Sequence, residues 1–292
     1  MPSALTFTAH AKINWTLDIL GRRDDGYHLL SMIMQPISLC DTLEITAGEI
    51  LSLSVEGGSS DIPVDENNII LKATILLRNT FHVSEGASMR LTKRIPSQAG
   101  LGGGSADAAA ALIGLNRFWA LGLSGEELET LGVKLGADVP YCLNGGLCRV
   151  EGIGERITAL PHAREWPLIV LQPCGGLSTG AVFRAWREAG EHRRAETKQL
   201  LNAMEKGDPG LLPRRPGNAL ESVSIGMQPA IGEAVEALFG LGAVCAQMSG
   251  SGSAVFGVFR DEKARDRALA QIHLRWPEAM ACKTLDSACI LP

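Results

Sequence analysis

Between Pro96 and Ala110 the chain reads Pro-Ser-Gln-Ala-Gly-Leu-Gly-Gly-Gly-Ser-Ala-Asp-Ala-Ala-Ala, a glycine-rich turn set directly against an alanine-rich helical stretch. Glycines at 100, 102, 103 and 104 permit positive φ and close approach of the backbone to a ligand. The first turn of the helix that follows presents unpaired N–H groups and a partial positive charge. Such a turn is built for an anion, and a nucleoside triphosphate is the commonest anion of that shape.

The familiar phosphate loops do not describe this stretch. A Walker loop ends in Gly-Lys-Ser/Thr, whereas Gly103-Gly104-Ser105 has no lysine. In a dinucleotide frame of G-x-G-x-x-G, the last glycine position is held by Ser105 when counted from Gly100 and by Asp107 when counted from Gly102. No His-Arg-Asp or Asp-Phe-Gly triplet occurs, which removes the protein-kinase set.

With 292 residues, 46% hydrophobic and 20% charged, the chain suits two packed α/β domains of ordinary composition. Its net charge of −5 argues against general affinity for nucleic acid or an anionic membrane, so a polyanion has to be held by a local cluster of N–H groups and a few cations. The first residues carry no basic segment ahead of an apolar core, and no apolar run reaches the roughly 18 residues of a membrane span, so a cytoplasmic protein is expected. Seven cysteines, at 40, 142, 148, 174, 245, 282 and 289, form no C-x-x-C pair and read as scattered thiols, with Cys142 and Cys148 in the core.

Apolar alternation predicts an N-terminal strand in which Leu5, Phe7 and Ala9 share a face that Trp15, Leu17 and Ile19 continue. Gly21 to Gly26 reads as a polar loop, Thr42–Ile45 and Leu51–Val55 as strands, and 68–79 as a helix. After the glycine turn, Ala108, Ala111, Leu112, Leu115 and Phe118 make the buried stripe of a second helix, which Ser105 is expected to cap. Ser124 with Glu127 is a capping box for the next helix, which Gly136 closes. Asp138 should then stand on a tight turn, with Pro140 holding Val139 out of helical geometry. The pattern restarts near Leu160-Pro161 with a strand at Pro167–Gln172 and a charged, helix-rich stretch from Glu188 to Lys206. This gives expected domains at 1–158 and 159–292. In the second, Ser249–Ser253 forms a close turn between strand-like Val244–Gln247 and Ala254–Phe259.

Several segments, in order from residue 11 to residue 252, resemble the GHMP kinases. They are Ala11-Lys12-Ile13-Asn14, Gly21 to His28 with its Asp-Gly-Tyr-His ending, the glycine turn, Leu135 to Pro140, Glu151 to Glu155, and Met248 to Gly252. The resemblance implies an α/β (α+β) fold of two domains, an N-terminal ATP-binding βα domain and a C-terminal ferredoxin-like α+β domain, with the active site in the cleft between them. It implies transfer of a phosphoryl group from ATP, with Mg²⁺, to the hydroxyl of a small molecule carrying a cytidine diphosphate moiety. The acting form would be a monomer or homodimer with no nucleic-acid or membrane partner.

Phosphoryl transfer needs a group that orients the attacking hydroxyl and accepts its proton late in the step. The resemblance assigns that role to Asp138, and Lys12 is the partner that stabilises charge growing on the transferring group. Pro96, Gly100, Leu101, Gly102, Gly103, Gly104, Ser105 and Ala106 would hold ATP, with the Ser105 hydroxyl directed to a phosphate or to Mg²⁺ and Asn68 near the adenine. Tyr27 and His28 would take the cytidine with Phe183 on its other face, and Asn14 and Thr179 would lie near the polyol and diphosphate. Two positions depart from the family pattern: His10 replaces a proline, and Ala219 follows Asn218 in place of an aspartate.

Overall fold

The computed structural model describes residues 4–58, 62–190, 194–287 and 289–291. The chain opens with two long antiparallel strands, β1 (Ala4–Arg22) and β2 (His28–Gly48), followed by β3 (Leu51–Gly57), α1 (Ile69–Phe81) and β4 (Gly86–Lys93). Then come α2 (Gly103–Phe118), α3 (Gly125–Val133), α4 (Val139–Asn144), β5 (Cys148–Gly152) and β6 (Arg156–Ala159). Strands β3 and β4 are parallel and joined through α1, while the other pairs of this sheet are antiparallel.

The second half contains β7 (Pro167–Leu171), α5 (Thr179–Ala189), α6 (Thr197–Lys206), α7 (Glu221–Met227) and α8 (Pro229–Gly240). It continues with β8 (Cys245–Met248), β9 (Val255–Val258), α9 (Glu262–Ile272) and β10 (Met280–Lys283). Its sheet order is β10-β7-β9-β8, antiparallel throughout, which is the split βαββαβ arrangement of a ferredoxin-like unit. A last short strand, β11 (Ile290–Leu291), returns to pair with β1 in the first sheet.

Alanines 108 to 111 of α2 are fully buried, and their short side chains let the helix lie close on the first sheet. At Gly114 a Cβ would stand 2.5 Å from Ile45 Cδ1 and 3.0 Å from Phe7, so a larger residue there would force helix and sheet apart. A tightly seated α2 holds the glycine turn at its N-terminus in one place.

Strand β1 joins the two halves. Its pairing with β2 shifts register between His10 and Lys12 and again between Asn14 and Thr16. Ala11, Ile13 and Trp15 consequently pack with Leu168, Val170 and Phe256 of the second sheet, whereas Phe7, Ala9 and Leu17 belong to the core that contains α2. The single continuous face expected across Trp15, Leu17 and Ile19 is therefore broken, because a one-residue bulge turns the strand over. The expected polar loop is also shorter than Gly21–Gly26, since β1 persists through Arg22.

Two expectations near the site are corrected. Helix α2 starts at Gly103 with Gly102 as its N-cap at φ +72°, so Ser105 is the third helical residue and caps nothing. Val139 is helical, the first residue of α4, with Pro140 second. Proline is tolerated in a first helical turn because its missing N–H would have had no intrahelical partner.

Candidate active site

The glycine turn separates two cavities. One, of about 530 Å³, is lined by Asn68, Lys93, Asp107 and the turn itself from Pro96 to Ser105. The other, of about 980 Å³, runs from Lys12, Asn14 and Asp138 to Tyr27, His28 and Phe183. Gln98, Gly100 and Gly102 line both, so the turn is the wall through which the two spaces meet.

Lys12 reaches this wall from the bulged part of β1. Opposite it in β2 stands Pro36, which has no N–H, and the Lys12 N–H donates to the Leu101 carbonyl at 2.9 Å. Its ammonium donates to Asn14 Oδ1 at 2.7 Å and to the Gly100 carbonyl at 3.0 Å, and lies 3.4 Å from Asp138 Oδ2. Lys12 is buried while the Asp138 side chain is 31% exposed, so the carboxylate is the member of the pair that faces the cavity. Asp138 is the N-cap residue of α4 in helical conformation and makes no side-chain cap bond, leaving its oxygens unspent on the backbone. Behind it, Gly154 takes φ +121°, and a Cβ there would press to 2.7 Å from the Ala137 carbonyl oxygen; the Glu151–Glu155 segment thus backs the turn that carries Asp138.

The turn after β8 closes the wall from the other domain. The Ser249 hydroxyl donates to the Gly100 carbonyl at 2.9 Å and accepts the Asn14 N–H at 3.1 Å, and the Ala254 N–H donates to the Ala99 carbonyl. A Cβ on Gly100 would collide with the Ser249 carbonyl oxygen, and one on Gly102 would stand 2.9 Å from Lys12 Cγ. Asn218 donates to the carbonyls of Met248 and Gly250, and Gln247 donates to those of Asn14 and Trp15. These bonds tie β1, the glycine turn and the Ser249–Ser253 turn into one unit.

At the far end of the larger cavity His28 stacks on Phe183, with ring centroids 4.7 Å apart and planes at 20°. Burial lowers the His28 pKa, and the charges of Arg187 and Arg22 lower it further. Tyr27 is 62% exposed beside them. Thr179 begins α5, and its hydroxyl lies 3.0 Å from that of Ser251.

Of the residues expected to hold ATP, Pro96, Gly100 to Ser105 and Asn68 line the smaller cavity. Ala106 does not; it is fully buried and its N–H donates to the Gly102 carbonyl within the helix. Asn68 accepts the Ile70 N–H as N-cap of α1 and donates to the Pro63 carbonyl, so both of its polar groups are engaged with the backbone.

A buried ionic cluster beneath the glycine turn escaped the sequence reading. Lys93 Nζ lies 2.5 Å from Asp41 Oδ2 and 2.6 Å from Asp107 Oδ2, and Asp41 Oδ1 accepts the N–H groups of Arg94 and Ile95. The cluster therefore clamps both ends of the segment from Arg94 to Asp107. Burial pushes Asp107 up to about 7 against the pull of Lys93, and Asp41 adds to the rise. Burial opposes the Lys93 charge, but the two carboxylates outweigh it and raise its pKa. A signal was present in the sequence, a lone aspartate inside an alanine run one turn after the glycines.

A two-part fold of this topology, with a glycine turn lying between two cavities, defines a small-molecule kinase class, and comparison with known proteins gives the family. Residues 68–146 match the GHMP kinases N terminal domain and residues 182–278 the GHMP kinases C terminal domain. The chain belongs to the GHMP kinase family. Full-length relatives are 4-diphosphocytidyl-2-C-methyl-D-erythritol kinases: that of Pelotomaculum thermopropionicum is 44% identical over 90% of this chain and 92% of its own. The enzyme of Caldicellulosiruptor saccharolyticus is 41% identical over 89% and 91%. A crystal structure of 4-(cytidine 5'-diphospho)-2C-methyl-D-erythritol kinase superposes with a TM-score of 0.81 at 32% identity, covering 96% of this chain and 99% of that one. A homoserine kinase from Cytophaga hutchinsonii shares the fold, with a TM-score of 0.75 at 16% identity, covering 100% of this chain and 98% of its own.

Proposed function

We propose that the protein transfers the γ-phosphoryl group of ATP to the 2-hydroxyl of 4-diphosphocytidyl-2-C-methyl-D-erythritol, giving the 2-phosphate and ADP. That places it in the non-mevalonate route to isoprenoid precursors. The observation that carries this reading is the Lys12–Asp138 pair at the meeting of the two cavities, where a phosphoryl donor on one side of the glycine turn reaches an alcohol on the other. Relatives named as 4-diphosphocytidyl-2-C-methyl-D-erythritol kinases, similar over nearly the full chain, support the choice of acceptor.

In this reading the triphosphate lies along the glycine turn against the N-terminus of α2, and glycine at 100, 102 and 103 lets that turn pack closely on Ser249, Lys12 and Ile95. Asp138 orients the 2-hydroxyl and takes its proton as the oxygen bonds to phosphorus. Lys12, fixed by Asn14 and Gly100, holds positive charge beside that step. Among the described residues no cluster of three His, Cys, Asp or Glu side chains could cage a metal. Magnesium would arrive on the triphosphate, where it supplies charge neutralisation with few protein ligands. Tyr27, His28 and Phe183 would receive the cytidine, and Asn14 and Thr179 the polyol and its first phosphate.

We also read residues 1–158 as the nucleotide-binding domain and 159–292 as the acceptor-side domain. No described helix is long and apolar enough to cross a membrane.

The test is turnover with ATP, Mg²⁺ and the diphosphocytidyl substrate, read as ADP release and a one-phosphate gain in acceptor mass. Homoserine and phosphomevalonate serve as comparison alcohols. Equal turnover of an alcohol lacking cytidine would reject the assigned acceptor.

A further inference from the structure

The larger cavity has an unbalanced charge. Lys12, Arg22, Arg184 and Arg187 line it, and Asp138 is the one carboxylate among the described lining residues. Asp138 and Lys12 already face each other. That leaves three guanidinium groups on a shared space in a protein whose net charge is −5.

Their positions follow from local structure. On α5 the lining residues are Thr179, Gly180, Phe183, Arg184 and Arg187, the three- and four-residue spacing of one helix face. Arg184 folds back over the first turn of its helix, with Nη1 3.7 Å from where a Cβ on Gly180 would stand. This is the turn whose Thr179 hydroxyl meets that of Ser251. Arg22 lies on the opposite wall, its Nε donating to the Gly26 carbonyl at 3.1 Å. Its Nη2 stands 3.1 Å from where a Cβ on Gly26 would be. Burial disfavours a proton on the His28 ring, and the nearby charges of Arg187 and Arg22 add to that effect.

An isolated arginine on a helix is ordinarily a solvated side chain. Here helix geometry gives the arrangement a length scale. Thr179 meets Ser251 on the turn where a Cβ on Gly250 would stand 3.3 Å from Asn14 Oδ1, itself a partner of Lys12, whereas Phe183, about one helical turn or 5.4 Å further along α5, stacks on His28. Arg184 follows Phe183 in sequence, but its guanidinium, folded back toward Gly180, lines the cavity between these two ends, where a group linking the reacting alcohol to a base would have to pass. A guanidinium fork suits phosphate oxygens, and like charges converging without a carboxylate are relieved by an anion of matching charge.

We infer that Arg184, supported by Arg187 and by Arg22 from the facing wall, is the cationic seat of the acceptor's diphosphate and selects a diphosphate-linked alcohol over an uncharged one. This rests on the acceptor proposed above.

The test separates the two ideas by measuring binding as well as turnover. With the ATP side saturated by a non-hydrolysable analogue, wild-type protein should bind cytidine 5'-diphosphate at least about tenfold more tightly than cytidine. Arg184→Gln should erase most of that difference while leaving cytidine affinity and the thermal midpoint near wild type. In turnover, Arg184→Gln should raise the acceptor KM about tenfold or more with KM for ATP unchanged, and Arg184→Lys should recover part of the loss. Raised salt should weaken the wild-type acceptor KM more than that of the variant. An undiminished preference for the diphosphate in both Arg184→Gln and the Arg184→Gln/Arg187→Gln double variant would overturn the inference. Diphosphate-dependent binding by wild type without turnover would instead reject the proposed reaction and leave the seat standing.

Discussion

Lys12 Nζ and Asp138 Oδ2 stand 3.4 Å apart although one residue lies on a bulged strand and the other stands at the N-terminus of a short helix 126 positions later. The pair is held from the lysine side, where the ammonium donates to Asn14 Oδ1 and the Gly100 carbonyl, while the partly exposed Asp138 carboxylate lines the cavity.

Removing the carboxylate charge should stop chemistry without unfolding the protein. Asp138→Asn is expected to lower kcat by about 10²- to 10⁴-fold, with nucleotide affinity and thermal midpoint near wild type, because Asp138 caps no backbone group. Stopped-flow or coupled ADP assays alongside a nucleotide titration check it. Lys12→Met should lose comparable turnover but also some stability, since it abandons the Gly100 carbonyl.

Gly100 and Gly102 allow no side chain. Both hold φ above +70°, and a Cβ at Gly100 strikes the Ser249 carbonyl while one at Gly102 strikes the Lys12 stem. Gly100→Ala should cost about 2–4 kcal/mol in urea unfolding and weaken ATP binding. Gly122→Ala, at φ +72° with open space around it, should cost only about 1 kcal/mol and leave activity intact.

The Asp41–Lys93–Asp107 cluster should be costly to break. Lys93→Met leaves two facing carboxylates buried and is expected to destabilise by about 3–5 kcal/mol. Asp107 titrates near 7 in the folded chain against an ordinary value of 3.8, so the native state binds this proton more tightly than the unfolded state. The stability it contributes is therefore full below about pH 4 and lost as pH rises through about 7. Urea midpoints from about pH 5 to about pH 8 should fall more steeply for wild type than for Asp107→Asn, which carries no titrating group there.

His28 is held neutral in the opposite sense. Burial first, then Arg187 and Arg22, lower its pKa below 6.5, so its imidazole signals should titrate at a more acidic midpoint than a free histidine. Arg187→Gln removes one of the opposing charges and should move that NMR midpoint upward. No movement would show that burial alone governs the ring.

The glycine turn, the alanine stripe of α2, the Ser124 capping box and the helix after Asn68 were all legible in the chain, because each rests on local rules of φ, capping or periodicity. The motifs also carried the family. The bulges of β1 were not legible, and neither was the start of α2 at Gly103 in place of a Ser105 cap. Both depend on contacts from other segments: a strand turns over when a second sheet claims one of its faces, and a glycine can serve as N-cap when packing holds it there.

Amino-acid order alone therefore settled the kinds of element, the glycines that leave room for an anion, and the residue types available for phosphoryl transfer. Folding decided which of those residues meet. Lys12 reaches Asp138 only because β1 is bulged against the second domain, and Lys93 finds Asp41 and Asp107 only when two strands and a helix converge. Charges so far apart in the chain have no local signature, and their pairing is decided by packing and by the electrostatics of a buried environment.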